Sequence, residues 1–232
     1  MPNEINLERL RQRQDAYLTA HYTSLHVTVV SLTLGMAGVS AASLLSPAAS
    51  AEGQPVLLWL LWASSLLAAS TAYAAAAVGS PVLPAKIPSI WDLALPLALG
   101  VVEFLMFALL AHQVTGLNSA GTIATAWFLA VGLFGAIAVV SILRIRHLFH
   151  NATYATDAAP LITWYIARLR REIAGASTLT VLGVAGMLAK LIAPGRWSLP
   201  VAYTLAGVIP VLLIAALIEH GRTGRGLRQA FD

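Results

Sequence analysis

The chain contains no cysteine, and only 10% of its residues are charged. The first absence excludes disulfide staples, thiolate metal sites and cysteine nucleophiles. The second is far below the roughly 25% Asp, Glu, Lys and Arg of a soluble globular domain, so an ordinary water-facing surface is excluded as well. No block of like charge occurs, which removes polyelectrolyte tails from consideration. Motifs of membrane-interior chemistry are missing too. There is no His-Glu-x-x-His, no glycine-rich serine turn with a deep histidine, no pair of buried aspartates and no clustered acids for metal-assisted phosphotransfer. The chain is therefore read as non-enzymatic, with no catalytic residue, no cofactor and no metal.

Other candidate clusters fall short of a site. His147, His150, Asn151 and Asp157 gather after the fourth apolar segment, yet an i, i+3 histidine pair without a third ligand at fixed spacing does not make a metal centre. His26 and His112 belong to opposite faces of the membrane and cannot form the axial pair of a transmembrane haem. The loop after residue 143 lacks the Glu-Ala-Ala and spaced-glycine pattern of importer permeases.

What the chain has is hydrophobicity. Of its 232 residues 58% are apolar, and they concentrate in six segments at about 24–46, 56–78, 91–112, 122–143, 176–194 and 199–219. Crossing about 30 Å of hydrocarbon takes roughly 20 apolar residues in a helix. The expected fold is all-α, a polytopic six-transmembrane-helix bundle forming one integral membrane domain over residues 1–232. With the N-terminus in the cytoplasm, Arg9, Arg11, Arg13, Lys86, Arg144, Arg146, Arg168, Arg170, Arg171, Arg222, Arg225 and Arg228 all fall inside, and only Arg196 falls outside. The positive-inside rule thus places both termini in the cytoplasm of a cell inner membrane. Trp59, Trp62, Trp127 and Trp197 at the outer ends of spans, with Trp91 and Trp164 at the inner boundary, fit interfacial tryptophan belts. The first apolar run is read as a retained span, since Glu4, Glu8 and Asp15 precede it and it is longer than a signal core.

The pI of about 9.8 does not point to nucleic acid, because the cations flank apolar spans and build no continuous basic face. Anionic lipid headgroups on the cytoplasmic side are the expected partners, contacted by Arg9, Arg11, Arg13, Arg168, Arg170 and Arg171, which equally suit a partner protein. Two amphipathic cytoplasmic helices are expected. One covers residues 4–23, where Leu7, Leu10, Tyr17, Leu18 and Tyr22 recur opposite Arg9, Arg11 and Arg13. The other covers about 158–175, where Asp157 precedes Pro160 and Leu161, Trp164, Tyr165, Leu169 and Ile173 lie opposite Arg168, Arg170, Arg171 and Glu172.

Small residues mark faces where helices can approach closely: Gly35 with Gly38, Gly132 with Gly135, and Gly183 with Gly186, each pair about one turn apart. Leu34-Gly35-Met36-Ala37-Gly38 is echoed by Leu182-Gly183-Val184-Ala185-Gly186, a weak internal repeat. Such faces can pack within one chain or between chains, so a homo-oligomer or a subunit of a membrane complex is expected.

Two ionisable residues lie within the spans. Glu103 sits near the midplane, where a charged carboxylate costs at least about 2.5 to 3.5 kcal/mol unless it is paired, hydrated or protonated. Lys190 lies toward the outer end of the fifth span, within reach of the surface by snorkelling and of Glu103 if the third and fifth spans are neighbours. On this carboxylate rests the expectation of a channel or transporter-like protein passing a small ion. The alternative is a non-catalytic membrane subunit that anchors, assembles with or relays a signal to a partner through its cytoplasmic helices. The two differ in whether Glu103 meets water or is sealed between helices.

Overall fold

A computed structural model describes residues 8, 10, 12, 25–46, 54–79, 82, 90–111, 120–192 and 198–231. Six helices follow one another: α1 (Leu25–Leu44), α2 (Pro55–Gly79), α3 (Ile90–Ala111), α4 (Ala120–His150), α5 (Ala159–Ile192) and α6 (Ser198–Phe231). Without water, a backbone must satisfy its own polar groups, and only a helix does this within one segment. Several hydroxyls meet the same constraint. Ser64, Ser65, Thr125, Thr180 and Thr204 each donate to the carbonyl four residues earlier, so a polar side chain is carried in an apolar helix without needing solvent.

Five helices are long and apolar enough to cross a membrane: Pro55–Gly79, Ala94–Ala111, Gly121–His150, Ala159–Lys190 and Leu199–Leu227, while Thr28–Leu44 forms a shorter apolar helix. Their outward faces carry Leu32, Val101, Leu133, Val181 and Ile214, all well exposed. Length, composition and exposed apolar faces together are those of a multi-pass membrane protein.

The expected loop helix at 158–175 and the expected span at 176–194 are one uninterrupted helix, α5, of 34 residues. Pro160 falls in its first turn, where its missing N–H costs nothing. No proline follows until Pro194, and Gly175 by itself does not stop the hydrogen-bond ladder. The fourth and sixth helices likewise run past their apolar segments, for 31 and 34 residues. At about 1.5 Å per residue these helices reach roughly 46 to 51 Å, well beyond an apolar slab of about 30 Å.

The most extensive packing joins α4 to α5, followed by α2 to α6, α1 to α3 and α3 to α4, with α5 also lying against α6. Neighbours α4 and α5, and α5 and α6, run antiparallel. One end of the bundle holds the C-termini of α4 and α6 and the start of α5, and is called here the Arg-rich end. The opposite end holds the start of α4 and the end of α5. Leu57, Leu61, Met106, Trp127, Phe128 and Ile209 lie at the centre of the principal core. A second core occupies the Arg-rich end, where Leu10, Val82, Phe149, Ala158, Ile162, Tyr165, Leu169 and Leu227 are buried together. The Phe149 ring lies 5.4 Å from that of Tyr165 and 6.2 Å from that of Tyr154.

Polar ties cross the principal core. Trp127 Nε1 donates to Ser65 Oγ at 2.9 Å, Trp62 Nε1 to the Ala37 carbonyl at 3.0 Å, and the Tyr203 hydroxyl to Gln54 Oε1 at 2.6 Å. Trp127 is fully buried, so it is a core residue and not part of an interfacial belt. Its indole N–H finds a hydroxyl inside the protein and has no need of the headgroup region.

Candidate functional site

The densest polar arrangement among the described residues lies where α5 meets α6 at the Arg-rich end. Arg168 sits on the same side of α5 as Tyr165 and Leu169, and only 1% of it is exposed. Its guanidinium is spent on three partners. Nε donates to Glu172 Oε1 at 2.8 Å, Nη1 to the Glu219 carbonyl at 2.9 Å and Nη2 to His220 Nδ1 at 2.8 Å. An arginine has donors only, so Nδ1 of His220 presents its lone pair and the ring proton resides on Nε2. The 3.5 Å approach of Glu172 Oε1 to the same Nδ1 is therefore a contact without a proton between the two atoms.

Around this buried centre lies a more exposed ring. Glu219 Oε1 pairs with Arg171 at 3.0 Å and Glu219 Oε2 with Arg222 at 3.9 Å. Thr223, itself buried, donates to the Glu219 carbonyl at 2.9 Å, so that carbonyl serves both α5 and its own helix. Arg170 points outward and is exposed. Thus Arg170 and Arg171 are surface cations, whereas Arg168 is interior and unavailable to a headgroup or a partner. Arg9, Arg11 and Arg13 lie outside the described residues, as does most of the expected helix at 4–23; within it Glu8, Leu10 and Gln12 are helical and Leu10 is buried.

Spacing in the sequence held part of this site. Arg168 and Glu172 stand four apart on one helix, the separation of a facing pair. Nothing in the sequence linked them to Glu219 and His220, which read only as the end of an apolar run. The contact depends on α6 continuing past that run.

Glu103 lies on α3 between buried Val102 and Met106, with 4% of its surface exposed. Among the described residues no hydrogen bond or ion pair reaches its carboxyl group. One turn before it, Gly100 abuts Val29 of α1, closely enough that a Cβ would fall on the valine side chain. Thr33, one turn beyond Val29, is buried with its hydroxyl unpartnered. Since α1 and α3 are both joined to α2 by short connections and run the same way, Thr33 and Glu103 stand at one level of the α1–α3 seam. Lys190 is elsewhere. Its Nζ donates to Thr122 Oγ1 on α4 at 2.8 Å, and α4 lies between α3 and α5, so the pair with Glu103 is not formed.

The glycines divide in the same way. Gly132 and Gly135 on α4 meet Gly183, Thr180 and Ala176 on α5, and Gly183 and Gly186 meet the Gly132 backbone, the Phe128 carbonyl and the Phe128 ring. Gly35 and Gly38 on α1 have nothing within 4 Å of where a Cβ would stand. The hydrogen bond between Asn151 Nδ2 and His147 Nε2 at 2.9 Å is local, and among the described residues no group of three or more His, Cys, Asp or Glu could hold a metal ion.

In comparisons with known proteins the chain matches no family model, no curated protein and no solved structure.

Proposed function

We propose that this chain is a non-catalytic membrane subunit that anchors and relays to a partner protein through a helical head on the cytoplasmic side. The observation that supports this reading is the second core at the Arg-rich end. Helices α4, α5 and α6 continue past their apolar segments and bury Phe149, Ile162, Leu169 and Leu227 together, beside the Arg168 network. A chain that only needed to cross the bilayer would gain nothing from a separate core of this kind. Its outer surface carries Arg170, Arg171, Arg222 and Arg225, all exposed, which suits an acidic partner surface or anionic headgroups. The positive-inside rule assigns this end to the cytoplasm.

A second reading, passage of a small ion, is favoured by one specific observation. Glu103 is buried at one level of the α1–α3 seam with Thr33, whose buried hydroxyl has no partner among the described residues, and such a group in a native core calls for a water or ion. Against it stands the small exposure of Glu103, since a conducting carboxylate must meet water on both sides. Ion flux into proteoliposomes, native chain against Glu103→Gln at equal folding, separates the two. Flux lost with Glu103 would establish the ion reading and overturn ours. Absence of flux, with a discrete in-cell crosslink from position 170 that disappears when Arg171 and Arg222 are changed to Glu, is the result expected for a relay subunit.

A further inference from the structure

We infer that the join between α5 and α6 at the Arg-rich end is a proton-operated latch, in which a proton taken up at Nδ1 of His220 exchanges the Arg168 hydrogen bond for one to Glu172 and frees the guanidinium from α6. Histidine is the side chain that changes charge near neutrality, and His220 is built into the contact. Only 6% of it is exposed, and its Nδ1 is the acceptor for Arg168 Nη2 at 2.8 Å. A proton on that nitrogen removes the acceptor. It also sets one cation against another at a separation too short for an intervening water.

The partner for the new donor is already in place. Glu172 Oε1 lies 3.5 Å from Nδ1, so a shift of about 0.6 Å brings the two to the length of a charge-assisted hydrogen bond. Neither of the other acceptors that Arg168 serves is orphaned by the exchange. The Glu219 carbonyl keeps the Thr223 hydroxyl at 2.9 Å, and Glu172 trades a guanidinium for an imidazolium. What loses its acceptor is Arg168 Nη2, and the guanidinium can follow the water that already reaches Glu172, whose side chain is 18% exposed. Two hydrogen-bonded arrangements of the same groups, differing by one proton, make a two-state element.

The charges that act on the ring are Arg168, Glu172 and Glu219. Arg168 and Glu172 come from α5, and Glu219 precedes His220 on α6 with its carboxylate taken up by Arg171 and Arg222. Of the other helices packed against α6, α2 has Tyr73 as its one titratable residue. Helix α4, which meets α6 only slightly, carries Arg144, Arg146, His147 and His150 at this end. Among the described residues Glu172 is thus the carboxylate placed to receive a hydrogen bond from a protonated Nδ1. Opening removes the buried polar tie between the two helices, so the arginine-bearing end of α6 moves away from α5 on acidification. The latch belongs to the chain by itself and stands whether the chain relays or conducts.

The test uses the absence of native cysteine. Ala167 on α5 and Gln229 on α6 are both exposed. A chain with Ala167→Cys and Gln229→Cys, spin-labelled in phosphatidylcholine nanodiscs, is followed by double electron–electron resonance from about pH 8 to about pH 5, the interval over which an imidazole changes charge. We expect a second, longer distance to appear on acidification, its ratio to the first rising by up to about tenfold per pH unit, as one proton requires. In His220→Gln, whose side-chain carbonyl accepts from Arg168 and takes up no proton, the single short distance persists throughout. An unchanged distance in the native background would overturn the proposal, as would a change that survives His220→Gln. Nitrogen NMR of the imidazoles in the unsubstituted chain is independent of how the variant folds. There His220 passes from the Nε2–H tautomer to the doubly protonated ring over the same interval as the distance change, and a ring that stays neutral at the acid end sinks the latch. The assay contains no partner and measures no flux, so its failure leaves the relay reading untouched.

Discussion

Arg168 and His220, 52 positions apart in the chain, meet at 2.8 Å inside the helix bundle, guanidinium to imidazole Nδ1. The contact is made between a permanent cation and a ring that must stay neutral at that nitrogen. It ties the first half of α5 to the end of the apolar stretch of α6, and Glu172, 2.8 Å from Arg168 Nε, supplies the countercharge.

Removal of the guanidinium should therefore be costly. Arg168→Met is expected to lose about 3 kcal/mol of stability, because Glu172 is left largely buried without its partner. Arg168→Lys should recover less than half of this, since one ammonium cannot reach three acceptors in a fork. The double change Arg168→Met with Glu172→Leu should cost less than Arg168→Met alone. Denaturant titration of helical content in detergent, run as a double-mutant cycle, measures all three.

The glycine pairs should respond differently to the same substitution. A Cβ on Gly183 would fall on the backbone of Gly132, and one on Gly135 would stand 2.7 Å from the Ala176 carbonyl. Gly183→Ala and Gly135→Ala must push α4 and α5 apart, at an expected cost of about 1 to 3 kcal/mol each. Gly35→Ala and Gly38→Ala meet nothing within 4 Å and should leave the thermal midpoint of the isolated chain unchanged.

Trp127 and Ser65 form the deepest polar tie between α4 and α2. Trp127→Phe removes the donor and leaves a void, and should destabilise by about 2 kcal/mol. Ser65→Ala should cost about 1 kcal/mol, and the double variant less than the sum, because the indole N–H is already unpartnered once the hydroxyl is gone. The same unfolding assay reads the difference.

Orientation is open to direct labelling. Leu45, 74% exposed just beyond α1, and Arg225, exposed near the end of α6, lie at opposite ends of the bundle. A membrane-impermeant maleimide should modify Leu45→Cys in intact cells and Arg225→Cys only after permeabilisation. The reverse pattern would invert the topology and move the arginine-bearing head outside.

Much of the architecture was legible in the sequence because hydrophobicity acts on whole segments. A run of about 20 apolar residues has few alternatives to a helix in lipid. Boundaries were less legible where a helix left the apolar zone: nothing in the pattern required α5 to run unbroken through Gly175, or α6 to continue to Phe231. Spacing also shows which face of a helix is small but not what meets it. Gly35 with Gly38 reads like Gly183 with Gly186, yet only the second pair has a helix against it. The buried centre at Arg168 was hidden for a related reason. On one helix it is an arginine beside another charge, and its interior position is created by a second helix whose neighbouring residues look interfacial.

The continuity of α5 has a mechanical consequence. Lys190 and Arg168 lie on the same helix with no proline between them, separated by 22 residues, or about 33 Å of helical rise. A rod of this kind tilts or slides as one piece. Any rotation imposed at its lysine end by what occupies the membrane turns the arginine end by the same angle, and no loop stands between the two to absorb it.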